Sequence, residues 1–315
     1  MPVFGTSMIQ DADILKGVFE GFRALYDKQF ALAPPFNFAP YVVDVPATTY
    51  LMNYDWLTDI PAMKPWVGNK KLRDSISAHV YTVKSIMYEA TLVVEKRDIE
   101  TDQLGIYTPQ VAMLSEEAKN HRLRLFAECM EANANTFDGV GLFSTAHPKD
   151  RTDPAGASTY SNWGSGALSL TALQTARTQM RKLTDAEGRL LGIMPDTLMV
   201  PVDLEDLANR LVYTTGPNQS FPGSAINDIN PIQRWGMGVV TNPYLSDANN
   251  WYLIDTGKPI KPYIYQHRVD PHLVPLIDPS SEPVFMRNQF LYSVEADYTF
   301  VPGFPQVIYG SIVAT

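Results

Sequence analysis

The stretch TPQVAMLSEEAKNHRLRLFAECMEANAN, residues 108–135, predicts the longest helix of this chain. Thr108 is a suitable N-cap, Pro109 fits the first helical position, and acidic side chains follow early in the segment. Apolar side chains recur at helical spacing and predict a buried stripe, with Arg122 in register. The stripe consists of Val111, Leu114, Ala118, Leu125, Cys129 and Ala132. The sequence therefore predicts one dominant helix with its apolar side against the protein core.

The composition describes a folded globular protein. The 315 residues are 45% hydrophobic and 19% charged, enough for one large domain or two lobes. With 25 Lys and Arg against 34 Asp and Glu, the net charge of −9 argues against a general nucleic-acid-coating role and a polybasic membrane binder. The single cysteine, Cys129, excludes an internal disulfide framework and a multi-thiolate zinc site. Neither a signal peptide nor a membrane span is predicted, so we expect a chain that folds in a cytoplasm.

The N-terminal third predicts a helix, an extended arm and a two-stranded ribbon. Residues 11–30 carry apolar side chains at helical spacing, and residues 33–50 form a proline-punctuated extended segment. The runs 71–84 and 86–99 alternate with period two, which is typical of paired strands. Because an isolated ribbon is marginally stable in water and the adjacent sequence supplies no third strand, we expect this ribbon to lie on a partner.

The second half of the chain predicts an α/β arrangement. A helix capped by Thr171 and a second helix from Asp203 flank a short buried strand. The predicted strands are 197–200, 238–241, 251–255 and 263–268, followed by a proline-rich connection over 271–283 and two terminal strands, 290–301 and 306–313. The pattern contains no internal repeat of solenoid period.

The segment LFSTAHP, residues 142–148, brings candidate catalytic side chains together. Ser144 and His147 could be a nucleophile and its base, but no G-x-S-x-G elbow surrounds the serine, and the spacing in a proline-terminated loop does not aim the imidazole at it. The five histidines are dispersed, and the acidic segment EKRDIETDQLG (95–105) lacks EF-hand spacing. The GSG at 164–166 is not part of a phosphate-binding loop. We therefore predict no catalytic, cofactor-binding or metal-binding residues.

Seven stretches, in sequence order, resemble the Mu-like phage major head subunits, which form the shell of a tailed-phage head. They are WVGNKKL (66–72), RDIETDQLGIYTP (97–109), FDGVGLFSTAHP (137–148), GRLLGIMPDTLMVP (188–201), WYLID (251–255), PYIYQHR (262–268) and FLYSVEADYTFVPGFPQVIYGS (290–311). The resemblance implies an α+β fold of the Hong Kong 97-like capsid type. Its parts would be an N-terminal arm (1–55), an extended two-stranded loop (56–105), a peripheral domain with the long spine helix (106–170 and 256–305), an axial α/β domain (171–255) and a C-terminal strand (306–315). LFSTAHP is then a family landmark in a loop.

The function implied by the resemblance is that of a structural major capsid protein, with no enzymatic activity and no cofactor. It would assemble with itself, as hexamers and pentamers, into an icosahedral shell around phage double-stranded DNA without sequence-specific contacts. We expect assembly in the host cytoplasm, a place in the virion, no membrane partner, and portal and decoration proteins as further partners. Because the arm helix begins close to Met1, we expect the scaffold to be a separate protein.

The predicted contacts between subunits lie on the extended loop. They are Lys70, Lys71, Arg73, Asp74, Lys84 and Tyr88. Two alternatives stay open from the residues: a non-viral shell of the same fold that holds a protein cargo, and a soluble α/β hydrolase that uses Ser144 and His147.

Overall fold

Two compact units make up the chain. The computed structural model describes residues 12–32, 34–54, 81–100, 104–149, 158–185, 188–214, 230–278 and 281–313. The first unit comprises 1–35, 85–123 and 267–299, and the second comprises 36–84, 124–266 and 300–315. The predicted capsid domains divide the chain at other positions and remain predictions. No helix in the described ranges is long and apolar enough to cross a membrane.

The described segments contain the following helices and strands. The helices are α1 (Ala12–Phe30), α2 (Lys96–Glu100), α3 (Thr108–Glu131), α4 (Leu170–Arg181), α5 (Glu205–Tyr213) and α6 (Glu282–Arg287). The strands are β1 (Val42–Pro46), β2 (Leu51–Asn53), β3 (Thr82–Lys84), β4 (Ile86–Glu95), β5 (His147–Pro148), β6 (Thr159–Tyr160), β7 (Trp163–Gly164), β8 (Thr197–Val200), β9 (Gly238–Thr241), β10 (Trp251–Ile254), β11 (Tyr263–Leu276), β12 (Gln289–Pro302) and β13 (Ile308–Ser311). They form a four-stranded sheet in the order β1-β11-β12-β4, a five-stranded sheet in the order β7-β13-β10-β8-β9, and the pairs β2-β3 and β5-β6.

Helices α1 and α3 contribute to the core of the first unit together with long strands. β12 runs antiparallel to β4, with Phe290 opposite Val94 and Tyr298 opposite Ile86. Alternate β12 residues point into the core, which is the period-two pattern of a half-buried strand. The buried core residues of this unit are Phe22, Tyr26, Val94, Tyr107, Val111, Leu273, Val284, Phe290, Tyr292 and Val294.

The buried face of α3 differs from the predicted stripe. The buried residues are Val111, Ser115, Lys119, Leu123, Phe126, Ala127 and Met130. Of the predicted stripe, Val111 is buried, Leu114, Ala118, Leu125 and Cys129 are half-buried, and Ala132 is exposed. The prediction was right in its first half, since Leu114 and Ala118 pack against the core beside Val111, and wrong further along the helix. It missed the buried apolar residues Leu123, Phe126, Ala127 and Met130, and it left out a serine and a lysine that belong to the same face.

The polar residues of this face bind the C-terminal end of α1. The Ser115 hydroxyl donates a hydrogen bond to the Tyr26 carbonyl (3.0 Å). The Lys119 ammonium donates to the carbonyls of Gln29 (2.9 Å) and Leu32 (3.0 Å). Carbonyls at the end of a helix have no partner within it and carry partial negative charge, so a cation there satisfies and stabilises them. Lys119 is buried for this reason.

The predicted two-stranded ribbon is not present in the described strands. β3 pairs antiparallel with β2, with Leu51 opposite Lys84, while β4 pairs with β12. Residues 96–100 are the helix α2 instead of a strand end, and residues 71–80 lie outside the described residues. Alternation identified the strands but could not identify their partners, which come from distant parts of the chain.

The second unit contains the predicted α/β arrangement. β8 and β9 are parallel, and β10 lies antiparallel to β8 on one side and to β13 on the other. α4 and α5 contribute Leu173, Ala176 and Leu211 to the core of this unit. Ser169 caps α4 by accepting a hydrogen bond from the Ala172 amide (3.2 Å), so the predicted cap at Thr171 was wrong by two positions.

Strand β11 continues through Pro271 to Leu276. The prediction of a proline-rich connection from 271 was therefore wrong over its first part. Burial alternates along the end of this strand, with Pro271 and Leu273 inside and His272 exposed. The prolines concealed a period-two pattern.

Candidate functional site

His147 is fully enclosed in the loop of residues 137–148. Its Nδ1 lies 2.7 Å from Oδ2 of Asp138, and its Nε2 lies 3.1 Å from the Leu142 carbonyl oxygen. The side chain is 0% exposed and its ring stacks on Tyr160, with 5.2 Å between the ring centroids. Each nitrogen of the imidazole ring therefore faces an oxygen that can accept a hydrogen bond, the Asp138 carboxylate on one side and the Leu142 carbonyl on the other.

Asp138 is the charged partner in this arrangement. Burial raises the pKa of the Asp138 carboxyl, but hydrogen bonds from His147, the Thr136 hydroxyl and the Val140 amide lower it, so the pKa lies below its ordinary value of 3.8. The Val140 amide donates over 3.0 Å to the same oxygen that accepts from Thr136. The carboxylate therefore stays ionised and organises the start of the loop.

Ser144 is not positioned as a nucleophile activated by His147. Its hydroxyl oxygen accepts a hydrogen bond from the Ala146 amide (3.1 Å), and its own amide donates to Oδ1 of Asn162 (2.9 Å). Both nitrogens of the imidazole lie at hydrogen-bond distance from other groups, Asp138 and the Leu142 carbonyl, so the ring is not directed at the Ser144 hydroxyl. The geometry supports a structural role for the LFSTAHP segment.

Asn162 joins this loop to the C-terminal segment of the second unit. It is 1% exposed, and its amide nitrogen donates to the carbonyls of Leu142 (2.7 Å) and Pro305 (3.1 Å). All three polar bonds of the side chain are thus made to backbone groups, which is how a buried amide avoids a desolvation penalty. No sequence pattern singles out this residue, since it lies among other small polar residues.

Phe143 packs directly on the backbone of β13. An added Cβ on Gly310 would lie 2.5 Å from Cδ1 of Phe143, so this position admits only a glycine without rearrangement. The ring also faces Tyr252 of β10, with 5.4 Å between centroids. Three of the quoted stretches, FDGVGLFSTAHP, WYLID and the end of FLYSVEADYTFVPGFPQVIYGS, therefore pack on one another.

Glu131 organises a second loop in this unit and was not singled out from the sequence. Its carboxylate accepts from the amides of Ser246 (2.7 Å) and Asp247 (3.0 Å), and from the Ser246 hydroxyl (2.7 Å). A carboxylate that accepts two backbone amides fixes a turn that would otherwise leave donors unsatisfied. No signal short of the tertiary structure identifies this contact, because the partners are far apart in the sequence.

The predicted intersubunit residues fall into two groups. Lys70, Lys71, Arg73 and Asp74 lie outside the described residues. Lys84 is exposed on β3, with its ammonium 5.2 Å from the ring centroid of Tyr50.

Tyr88 packs within the first unit. It lies in β4 opposite Ala296, and its ring centroid is 4.5 Å from that of His121 and 5.2 Å from that of Tyr298. His121 Nδ1 is also 2.8 Å from the Tyr298 hydroxyl. The half-buried ring of Tyr88 therefore contacts its own chain.

No group of acidic, histidine or cysteine side chains in the described ranges has the arrangement of a metal site. Cys129 is half-buried, and burial raises the pKa of its thiol to about 12. A thiol with a raised pKa stays protonated near neutral pH and is a poor nucleophile. The chemistry that these residues support is structural.

The fold is that of tailed-phage capsid subunits. The chain aligns with a chain of the procapsid of bacteriophage JBD30 at a TM-score of 0.59 and 22% identity, over 96% of this chain and 76% of that chain. It aligns with the mature capsid of bacteriophage PhiM1 at a TM-score of 0.51 and 12% identity, over 90% of this chain and 89% of that chain. The predicted α+β fold of Hong Kong 97 type is confirmed.

The sequence has relatives among phage head proteins. It is 24% identical over 297 residues to the Mu-like prophage FluMu major head subunit of Haemophilus influenzae, which covers 94% of this chain and 72% of the relative. It is 22% identical over 275 residues to the major capsid protein of Escherichia phage Mu, covering 87% of this chain and 65% of that protein.

The profile of the Mu-like prophage major head subunit gpT family matches residues 15–169, 160–230 and 230–314. The chain belongs to this family. It is a structural phage capsid protein and not an enzyme, as the sequence predicted. Neither the hydrolase nor the cargo-shell alternative is favoured by these findings.

Proposed function

We propose that this chain assembles with copies of itself, as hexamers and pentamers, into a closed icosahedral head shell that encloses double-stranded DNA. The observation that carries the proposal is the match to a family of head subunits along the chain from residue 15 to residue 314. Assembly takes place in the host cytoplasm, and the shell becomes part of the virion. The mild net negative charge of −9 is compatible with enclosing DNA, because a shell does not have to neutralise every phosphate.

Other head proteins complete the shell in this proposal. A separate scaffold guides assembly, a portal occupies one vertex, and a decoration protein binds the outside. The capsid of bacteriophage JBD30 is described as decorated with minor capsid protein trimers. A decoration protein of this chain's own shell is proposed by analogy with that capsid.

Residues 55–80 provide the contacts between neighbouring subunits in this proposal. The residues at the two ends of the segment lie side by side, since the Tyr54 amide donates to the Tyr81 carbonyl over 2.9 Å. The two ends of the segment are therefore held together within the second unit. It carries the cations Lys70, Lys71 and Arg73, which can meet acidic groups on an adjacent copy of this acidic chain.

Replacing residues 57–79 by a short Gly-Ser linker tests the contact role. Tyr54, Tyr81 and the buried Val83 are retained, so β2 and β3 keep their pairing. We expect near-native circular dichroism and a cooperative melting transition, together with an absence of closed shells by electron microscopy. Shells that close without the segment would show that it does not join the subunits.

The nucleic-acid content of purified particles tests the enclosed DNA. Particles are treated with nuclease, opened, and analysed for double-stranded DNA and for protein other than head components. A phage head is expected to retain protected DNA. Particles that contain a protein cargo and no nucleic acid would favour the compartment shell instead.

A further inference from the structure

Helix α4 presents a basic face in an acidic chain. No aspartate or glutamate occurs between Asp153 and Asp185, although the whole chain carries 34 acidic residues against 25 basic ones. Three cations, Arg177, Arg181 and Lys182, lie at the C-terminal end of α4 and just beyond it. Positive charge is thus concentrated on one helix of the second unit.

Within the part of the chain that the structure describes, these cations are not paired with carboxylates. The ion pairs between described residues include none of Arg177, Arg181 and Lys182. The Arg177 guanidinium lies 4.3 Å above the ring centroid of Trp235, a cation–π contact that fixes its position. Burial lowers the pKa of the Arg177 guanidinium from its ordinary value, and the positive charge of Arg181 lowers it further. Two like charges therefore lie close together with no acidic counterpart among the described residues, which favours an anionic ligand.

A polar groove runs along the same helix beside the cations. It has a volume of about 370 Å³, is open to solvent and is lined by Thr171, Gln174, Thr175, Thr178, Gln179 and Lys182. The Gln179 amide donates to the Ser161 carbonyl (2.8 Å), and the Thr175 hydroxyl donates to the Thr171 carbonyl (2.9 Å). The lining offers hydroxyl and amide groups and no apolar side chain.

We propose that this face of α4 binds the phosphodiester backbone of the enclosed double-stranded DNA without reading its sequence. The inference rests on the proposed function, because it assigns a contact surface to the DNA that the shell encloses. Arg and Lys side chains displace counterions from phosphates, and Thr and Gln side chains donate hydrogen bonds to phosphate oxygens. A protein partner is less well matched, because protein interfaces use buried aromatic or aliphatic anchors at their centre, and this groove has none.

Binding of a random-sequence duplex to the purified full-length chain tests the inference. The test variant carries Arg181→Gln and Lys182→Gln, both exposed, and retains Arg177 because that side chain packs on Trp235. The control variant carries Arg189→Gln and Arg210→Gln. It removes the same charge from the same unit, but from cations paired with Asp185 (2.7 Å) and Asp206 (2.5 Å).

Fluorescence anisotropy at several salt concentrations measures the affinity and its salt dependence. Because each phosphate contact contributes about 0.9 to the slope of log K against log salt, the test variant is expected to lose about 1.8 in slope and about tenfold or more in affinity at low salt. The control variant is expected to stay within about twofold of the original chain in affinity, since its arginines are already paired with carboxylates.

Several results would overturn the assignment to α4. They are an equal loss in both variants, an unchanged slope in the test variant, and no binding of DNA by the original chain. A polyglutamate chain serves as a second probe: binding that depends on Arg181 and Lys182 in the absence of DNA binding would assign the face to an acidic protein.

Electron microscopy of the same variants separates the two proposals. If shells form but the α4 substitutions leave the DNA affinity unchanged, only this inference is contradicted. If the original chain fails to form shells, the proposed function is contradicted.

Discussion

His147 shows at the scale of single residues why a motif that looks catalytic is structural. The sequence places a serine and a histidine close together, but the structure directs both imidazole nitrogens at Asp138 and the Leu142 carbonyl. The absence of an elbow around Ser144 was visible in the sequence, so the lack of a nucleophile could be predicted. The partners of the imidazole could not, because Asp138 lies on the other side of a turn whose shape depends on the fold.

Replacing Asp138 by alanine is expected to destabilise the protein strongly. The change leaves the buried His147 imidazole and the Thr136 hydroxyl without the acceptor they share, and each buried polar group left unpaired costs about 1–3 kcal/mol. Asp138→Asn, which keeps an acceptor oxygen, is expected to lose less. Urea denaturation measures the free energy of unfolding, with Ser144→Ala as the control in the same loop. A loss for Ser144→Ala as large as that for Asp138→Ala would contradict this description of the loop.

The Asp138 carboxyl also predicts a dependence of stability on pH. Its pKa in the folded protein lies below the ordinary value of 3.8, so its contribution is fully present above that value and is lost as the pH falls through the folded pKa. The free energy of unfolding should therefore decrease on acidification below about pH 4, and less steeply in Asp138→Asn. Unfolding curves at several acidic pH values give both slopes. Parallel slopes for the two proteins would show that Asp138 contributes nothing to the acid sensitivity.

Gly310 is a second position where the stability of the protein is expected to depend on a single added carbon atom. A methyl group there would meet Cδ1 of Phe143 at 2.5 Å, so Gly310→Ala should cost about 1–3 kcal/mol through overpacking. The control is Gly21→Ala on α1, where an added Cβ meets nothing within 4 Å. That change should be neutral or stabilising, because alanine favours a helix over glycine. Equal melting temperatures for the two variants would contradict the close contact.

The elements of this fold were easier to predict than their partners. The period-two runs in β4 and β12 and the helical spacing in α1 and α3 are local properties, so the sequence revealed them. The pairing of β4 with β12 depends on residues far along the chain and left no local signal. The buried face of α3 was missed for a related reason, since Lys119 is buried only because the end of α1 supplies carbonyl acceptors.

Two leucines of α3 test the corrected face. Leu123 is 1% exposed, whereas Leu125 of the predicted stripe is half-buried. Leu123→Asp should give insoluble or degraded protein, because an unpaired buried charge costs several kcal/mol against a typical total stability of about 5–15 kcal/mol. Leu125→Asp should be tolerated better. Soluble yield and melting temperature are measured for both variants. A more stable Leu123→Asp than Leu125→Asp would support the stripe predicted from the sequence.

At the scale of the whole molecule, the fold class and the structural function could be predicted from the sequence, and the contacts between subunits stay predictions. The seven stretches identified a head subunit because they recur in order along most of the chain. Three of those stretches also contact one another in the described structure, where Phe143, Tyr252 and Gly310 pack together. Lys70, Lys71 and Arg73 stay predicted contacts, because they lie outside the described residues.

Self-assembly is the central claim, and cryo-electron microscopy of particles tests it most directly. The chain is concentrated alone and, in parallel, produced together with the head-assembly proteins of a Mu-like phage. We predict closed icosahedral shells in at least the second preparation, with a repeating subunit into whose density the two compact units of this chain fit. Monomers or small oligomers in both preparations, with the chain folded and soluble, would contradict the account.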